Sequence, residues 1–217
     1  MKKYQNFLSK DEVNEILEWL ESKPYTKEVM IDPLISADAV KYRNKSLDFH
    51  LESSLVRKIV FPKLKKIIPN ADTADPTNSA FLESHYPFGL HVDTLKTFDK
   101  NGFYSIKNTT TNTAVLIALN ESPDFKTVFF DFYTDDLDKD YDSLPSSSQP
   151  VSTLEYPGVD LSHFSDRSKE FLQYHKIKCI DCCRWEQGLA MVWPRTQLHS
   201  SSNFSGKGIK KALVLFF

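Results

Sequence analysis

The spacing of apolar positions changes along this chain. Near the start they recur at helical intervals: Val13, Ile16, Leu17 and Leu20 share one face. Ser9-Lys10-Asp11-Glu12 reads as a capping box, Ser9 as N-cap and Glu12 at N3, with Leu8 and Val13 at the positions of a hydrophobic staple. Lys23-Pro24 stops this helix. Leu51, Leu55, Val56, Ile59 and Val60 form a second helical stripe over about 51–60, broken by Pro62. Leu64, Ile67 and Ile68 continue as a short turn before Pro69, and residues 25–50 carry no clear period.

From residue 79 the pattern shortens. Ser79–Tyr86, Asn112–Leu119, Lys126–Tyr133, Lys176–Ile180, Leu189–Trp193 and Lys210–Phe217 are short apolar runs with turn signals between them. They predict a mainly β chain with flanking helices, an α+β arrangement in which a sandwich or barrel of strands carries helices on one sheet. The expected organisation is a single domain over 1–217, with N-terminal helices at about 9–68 and a β core at about 79–217. A polar insertion at about 134–170 interrupts the core with five aspartates between 135 and 142, a Ser-Ser-Ser run and several prolines, and reads either as a lid or as a disordered excursion.

Composition narrows the partners. A length of 217 residues fits one domain, and 16 Phe with 9 Tyr suit a pleated core. The formal net charge of -2 offers no general attraction for polyanions, which argues against nucleic acid as partner. No run reaches the roughly 20 apolar residues of a membrane helix, and Met1 to Asn6 lacks the apolar stretch of a signal peptide. The three cysteines, 179, 182 and 183, are odd in number and clustered, so they read as reduced, inert thiols in a cytoplasmic protein rather than as a disulfide framework or a zinc site.

The chemistry centres on Tyr86-Pro87-Phe88-Gly89-Leu90-His91-Val92-Asp93-Thr94. In extended backbone His91 and Asp93, two apart, point to one face. A third ligand must come from elsewhere, and His199 in Leu198-His199-Ser200 is the candidate. Two histidines and one carboxylate make a facial triad, which suits non-haem iron(II) and leaves coordination positions open. The last strand adds a cation, Lys210 or its neighbour Lys211; only one can face inward, and a buried lysine needs an anion.

With these features the chain resembles the Fe(II)/2-oxoglutarate-dependent dioxygenases, in particular their prolyl-4-hydroxylase-like or phage-type branch. The resemblance rests on His91-Val92-Asp93, the distal His199, the basic residue Lys210, Phe7-Leu8-Ser9 opening the first helix, Gly188 turning into Leu189–Trp193, and the terminal Leu-Val-Leu-Phe-Phe strand. It implies a double-stranded β-helix (jelly-roll, cupin-like) core. It also implies Fe(II) on His91, Asp93 and His199 as the catalytic centre, 2-oxoglutarate as co-substrate with its far carboxylate on Lys210 (Lys211 the runner-up), and O2. The activity implied is hydroxylation of a peptide, amino acid or other small molecule with release of succinate and CO2. Family members more often carry Arg at the anchor and a Ser or Thr two residues later; here those positions are Lys210 and Ala212.

Tyr86 is a further candidate co-substrate contact, and Trp193 and Arg195 are candidate substrate contacts, against plain readings as barrel core and a solvated loop cation. His85 reads as a strand residue. Two other classes stay open: a non-catalytic cupin-like binding module, and a cupin-type metalloenzyme that uses no 2-oxoglutarate.

Overall fold

The computed structural model describes residues 1–30, 40–48, 51–69, 71, 74, 78–93, 96–99, 102–105, 112–133, 159–160, 162, 164, 166–202 and 208–217. Strand β1 (Lys2–Tyr4) precedes helix α1 (Lys10–Glu21). The capping box closes as its residue types dictate: Glu12 N–H donates to Ser9 Oγ (3.2 Å) and Ser9 N–H to Glu12 Oε2 (2.7 Å). Strands β2 (Lys27–Met30) and β3 (Val40–Lys45) follow, occupying part of the stretch that showed no period.

The second helix departs from expectation. Residues 51–54 are not helical; a π-helical turn at Val56–Val60 runs straight into α2 (Phe61–Leu64), so Pro62 lies inside the helical stretch. Proline is tolerated there because it occupies the first turn of α2, where a missing N–H costs little.

The core strands are β4 (Ala80–Ser84), β7 (Thr113–Ala118), β8 (Ser122–Tyr133), β9 (Cys179–Trp185), β10 (Ala190–Pro194), β11 (Gln197–Ser202) and β12 (Lys210–Phe216); β5 (Lys96–Asp99) and β6 (Gly102–Ser105) form a two-stranded hairpin of their own. The expected Lys176–Ile180 strand starts later. Lys176 takes φ 51°, and Ile177 N–H donates back to Leu172, which makes those residues the C-terminal cap of helix α3 (Asp166–Tyr174). That helix begins inside the expected polar insertion. Its Phe171 and Leu172 are buried, as is Phe164 ahead of it, so this end of the insertion does carry core residues. The remainder, 134–158, lies outside the described residues.

Two antiparallel sheets result, one in the order β1-β10-β7-β12-β4-β3-β2 and one in the order β11-β8-β9. The chain alternates between them: β4 in the large sheet, a bridge at His91 onto β11 of the small one, β7 large, β8 and β9 small, β10 large, β11 small, β12 large. This winding is the double-stranded β-helix.

Three apolar layers hold it. The N-terminal helices cover the outer face of the large sheet, where Val13, Ile16 and Leu64 meet Val115, Ile117 and Leu213. Between the sheets lie Phe129, Trp185, Trp193 and Phe216. Helix α3 covers the back of the small sheet, where Phe171 meets Val128 and Phe130. With both faces covered, β7 reads as the near-continuous apolar run Thr-Ala-Val-Leu-Ile-Ala. Gly188 joins β9 to β10 at φ +79°, and a Cβ there would meet the Leu8 carbonyl oxygen at 2.2 Å. No described helix is long and apolar enough to cross a membrane.

Candidate metal centre

His91 and Asp93 lie on an extended segment that leaves β4 and crosses to the small sheet. His91 N–H donates to His199 O (3.0 Å) and His199 N–H to His91 O (2.9 Å), while Asp93 N–H donates to Arg195 O (2.9 Å). These three backbone bonds bring the HxD segment against β11 and the turn before it. One ligand atom from each of His91, Asp93 and His199 then lies within 4.8 Å of the others, and His199 Nε2 is 3.6 Å from Asp93 Oδ2.

Both imidazoles are turned the same way. His91 Nδ1 meets Gly89 O at 2.7 Å, and His199 Nδ1 meets Gln197 O at 2.9 Å. A carbonyl can only accept, so the proton is assigned to Nδ1 in each ring and the Nε2 lone pair is left for an ion. Burial pushes His91 down to about 4, with the neighbouring His199 adding to the effect, so the ring is neutral at pH 7. Asp93 is aimed by Trp193, whose Nε1–H donates to Oδ2 at 2.9 Å. His199 is clamped between Phe129 (centroids 5.8 Å apart) and Trp193 (5.1 Å). Two imidazole nitrogens and a carboxylate oxygen, without a thiolate, form a donor set suited to a divalent ion such as iron(II).

The triad opens into a cavity of about 210 Å³ between the sheets. Its walls include Tyr42 and Asn44 from β3, Ser84 from β4, Thr127 from β8, Trp185 from β9 and Lys210 from β12. Strand alternation sends Lys210 inward, where it is 6% exposed, while Lys211 turns to the outer face opposite Glu83. The Lys210 ammonium donates to Thr127 Oγ1 (3.2 Å) and lies 4.1 Å from the centre of the Trp185 ring. No carboxylate pairs with it among the described residues. Burial pushes this amine down to about 7.

Two sequence expectations need correcting. Arg195 is neither a solvated loop cation nor a residue of the cavity wall. It is 1% exposed, its Nε–H and Nη2–H donate to Asp93 O (3.2 and 2.6 Å), and its guanidinium covers the Phe216 ring. Tyr86 is 38% exposed and outside the cavity, because the chain turns away from the sheet after Ser84. Trp193 does line the cavity, and its indole N–H is engaged by Asp93. His85 sits in a bend beyond β4, its Nε2 3.1 Å from Glu83 Oε1. Cys179, Cys182 and Cys183 are free thiols on β9, and burial pushes Cys183 up to about 12. Thr94, His163 and residues 203–207 lie outside the described residues. Reading the sequence missed β11 itself, the roles of Gly89 and Gln197 two residues before each histidine, and the inward Ser84 and Thr127.

No family model matches the chain, and no curated protein matches its sequence. Solved structures do match it in shape. SnoK, a non-haem α-ketoglutarate-dependent carbocyclase from nogalamycin biosynthesis, superposes with a TM-score of 0.59 at 13% identity, covering 99% of this chain and 77% of that one. The epimerase SnoN of the same biosynthesis gives 0.59 at 13% identity, over 99% and 76%. A prolyl hydroxylase from Trichoplax adhaerens, in complex with a hypoxia-inducible-factor peptide, gives 0.50 at 10% identity, over 99% and 81%. At such identities the likeness speaks for architecture, and the chain shares the double-stranded β-helix fold of these 2-oxoglutarate-dependent proteins.

Proposed function

We propose that this chain, as one catalytic domain over residues 1–217, is an Fe(II)/2-oxoglutarate-dependent oxygenase that hydroxylates a small-molecule or peptidyl substrate. The observation that carries the reading is the pairing of two features in one cavity: an outward-free His-Asp-His donor set, and a buried lysine with no carboxylate partner among the described residues. A buried cation is costly unless an anion meets it, and a dicarboxylic 2-oxo acid spans from a metal ion to such a cation. The fold shared with the α-ketoglutarate-dependent SnoK and SnoN and with the prolyl hydroxylase supports the same reading.

In this reading His91, Asp93 and His199 hold the ion, and Lys210 receives the far carboxylate. Iron(II), with 2-oxoglutarate and O2, would supply the oxidising power, with succinate and CO2 released. The protein's own part is orientation and exclusion of water. Gly89 O and Gln197 O keep each Nδ1 protonated, Trp193 holds one oxygen of Asp93, and Phe129 with Trp193 screens the His199 ring.

The test is an anaerobic titration with Fe(II) and then 2-oxoglutarate, followed by visible absorption. A weak charge-transfer band that needs both additions and vanishes in His91→Ala is the expected result. Iron binding without a band would point to a cupin-type metalloenzyme that uses no 2-oxoglutarate. A folded protein that retains no iron would leave a binding module.

A further inference from the structure

Strand β3 gives the cavity a wall that holds neither the triad nor Lys210. Tyr42 and Asn44 lie two apart on its inward face, opposite Ser84 and Leu82 of β4. Asn44 Oδ1 is buried and accepts no hydrogen bond among the described residues. The Tyr42 ring lies 5.4 Å from that of Phe88, centre to centre, and Phe88 lies 5.9 Å from His91, so an aromatic shelf runs from β3 to a metal ligand. Two ammonium groups stand over this shelf. Lys27, the cross-strand partner of Asn44 on β2, places Nζ 5.9 Å from the centre of the Tyr42 ring, and Lys41 places its own 6.0 Å from that of Phe88. Neither meets a carboxylate among the described residues, whereas Arg43 on the same strand pairs with Glu28. Asp93 is the only carboxylate among the described residues of the cavity wall, and it belongs to the triad.

We infer that this side of the cavity binds the primary substrate, and that the substrate is a small organic acid. Its apolar body rests on Tyr42 and Phe88 beside His91, an N–H or O–H donates to Asn44 Oδ1, and its acidic group meets Lys27 and Lys41. The inference deepens the function proposed above and rests on it. Three physical demands point the same way. A buried amide oxygen without a donor is costly, and it is accounted for when a ligand supplies one. Two adjoining ring faces offer apolar contact next to the metal ligands. Two ammonium groups without a counter-ion set up a positive field beside the cavity, which concentrates anions there and repels cations. Arg195, the cation that the sequence offered for a substrate, holds Asp93 O instead, so the charge comes from β2 and β3.

The test is an anaerobic titration of the protein loaded with Fe(II) and 2-oxoglutarate, using hippurate and hippuramide as probes and read by calorimetry and by the charge-transfer band. Both probes carry a phenyl ring and an amide N–H; hippurate alone carries a carboxylate. Hippurate should perturb the band and bind about three-fold or more tighter than hippuramide, the scale of an ion pair at an exposed site. The double variant Lys27→Gln, Lys41→Gln should erase that preference, and so should high salt. Asn44→Leu should weaken both probes about five-fold or more, the scale of one buried hydrogen bond. Every variant should keep the parent's affinities for Fe(II) and 2-oxoglutarate, which separates a lost contact from a damaged fold; should Asn44→Leu fail to fold, the lysine variant decides alone. Equal affinity of the parent for the two probes, no binding of hippurate at millimolar concentration, displacement of 2-oxoglutarate by hippurate, a preference that survives loss of both lysines, or unchanged binding by a folded Asn44→Leu would each overturn this inference and leave the function proposed above standing. A protein that forms no band with Fe(II) and 2-oxoglutarate overturns both together.

Discussion

The indole N–H of Trp193 donates to Oδ2 of Asp93 across 100 residues of sequence, at 2.9 Å. The bond ties the inner face of β10 to the carboxylate of the HxD segment. It fixes which way that carboxylate turns.

Replacing Trp193 by Phe keeps a ring against His199 and removes only the donor. Outer hydrogen bonds of this kind typically carry about 10–100-fold in metal affinity. Trp193→Phe should weaken Fe(II) binding on that scale, read by anaerobic titration. An unchanged affinity would mean that Asp93 is aimed by its backbone contacts instead.

Those backbone contacts centre on Arg195, whose two N–H groups hold the Asp93 carbonyl. Lysine cannot reproduce the fork or the cover over Phe216. Arg195→Lys should cost roughly 1–3 kcal/mol of stability, the scale of losing hydrogen bonds in a buried site. It should also weaken metal binding, although Arg195 is not in the cavity wall. Urea unfolding and a metal titration on the same variant check both halves.

Lys210 gives the protein a pH dependence whose sign can be worked out. The unfolded chain holds this proton up to the ordinary 10.5, while the folded chain releases it at about 7. Between these values the unfolded state binds more protons, so this group makes stability rise with pH across that window, and below pH 7 the full penalty applies. At about 1.4 kcal/mol per pH unit the penalty is of order 4–5 kcal/mol. Metal-free Lys210→Met should therefore be more stable than the parent at pH 6, with the advantage shrinking towards pH 10. The reverse order in urea unfolding would show that the amine is already paired.

Binding of a dicarboxylic 2-oxo acid should run the other way. The anion favours the ammonium, so binding takes up a proton and 2-oxoglutarate affinity should fall as pH rises above about 7. Calorimetry in buffers of different ionisation enthalpy reads the proton directly. No uptake at pH 8 would remove Lys210 as the anchor.

Gly188→Ala places a methyl at φ +79° against the Leu8 carbonyl, 2.2 Å away. Leu8 N–H donates to Gly188 O at 3.1 Å, so the clash falls where the N-terminal segment is pinned to the β9–β10 turn. A loss of roughly 2–4 kcal/mol is expected, combining backbone strain with a displaced contact. Thermal unfolding measures it, and a neutral result would mean that the turn relaxes freely.

Much of the secondary structure was legible because its causes are local. The Ser9-to-Glu12 capping box, the helical face from Val13 to Leu20 and the Leu-Val-Leu-Phe-Phe strand are each decided within a turn or two of chain. So was the shared face of His91 and Asp93. Strand β11 escaped notice because Gln-Leu-His-Ser-Ser-Ser shows little apolar alternation. All six of its residues are buried; their backbone pairs with β8 and, at His199, with the HxD segment, while the Ser200 hydroxyl donates to Phe88 O. Pro62 misled because its position within a helix, not its presence, decides whether the helix breaks.

By itself the sequence determined a mainly β chain with a capped N-terminal helix, and a His-x-Asp pair with a distant histidine and two neighbouring lysines. Only the tertiary structure decided how these meet. Sheet register turned Lys210 rather than Lys211 inward, set Ser84 beside it, brought Thr127 from the opposite sheet, and buried Arg195 behind Asp93 while leaving Tyr86 outside. The reason is physical. A cap or an alternation is satisfied by neighbours a few residues away, whereas the convergence of side chains from separate strands depends on which backbone groups pair across the sheets, as His91 and His199 do.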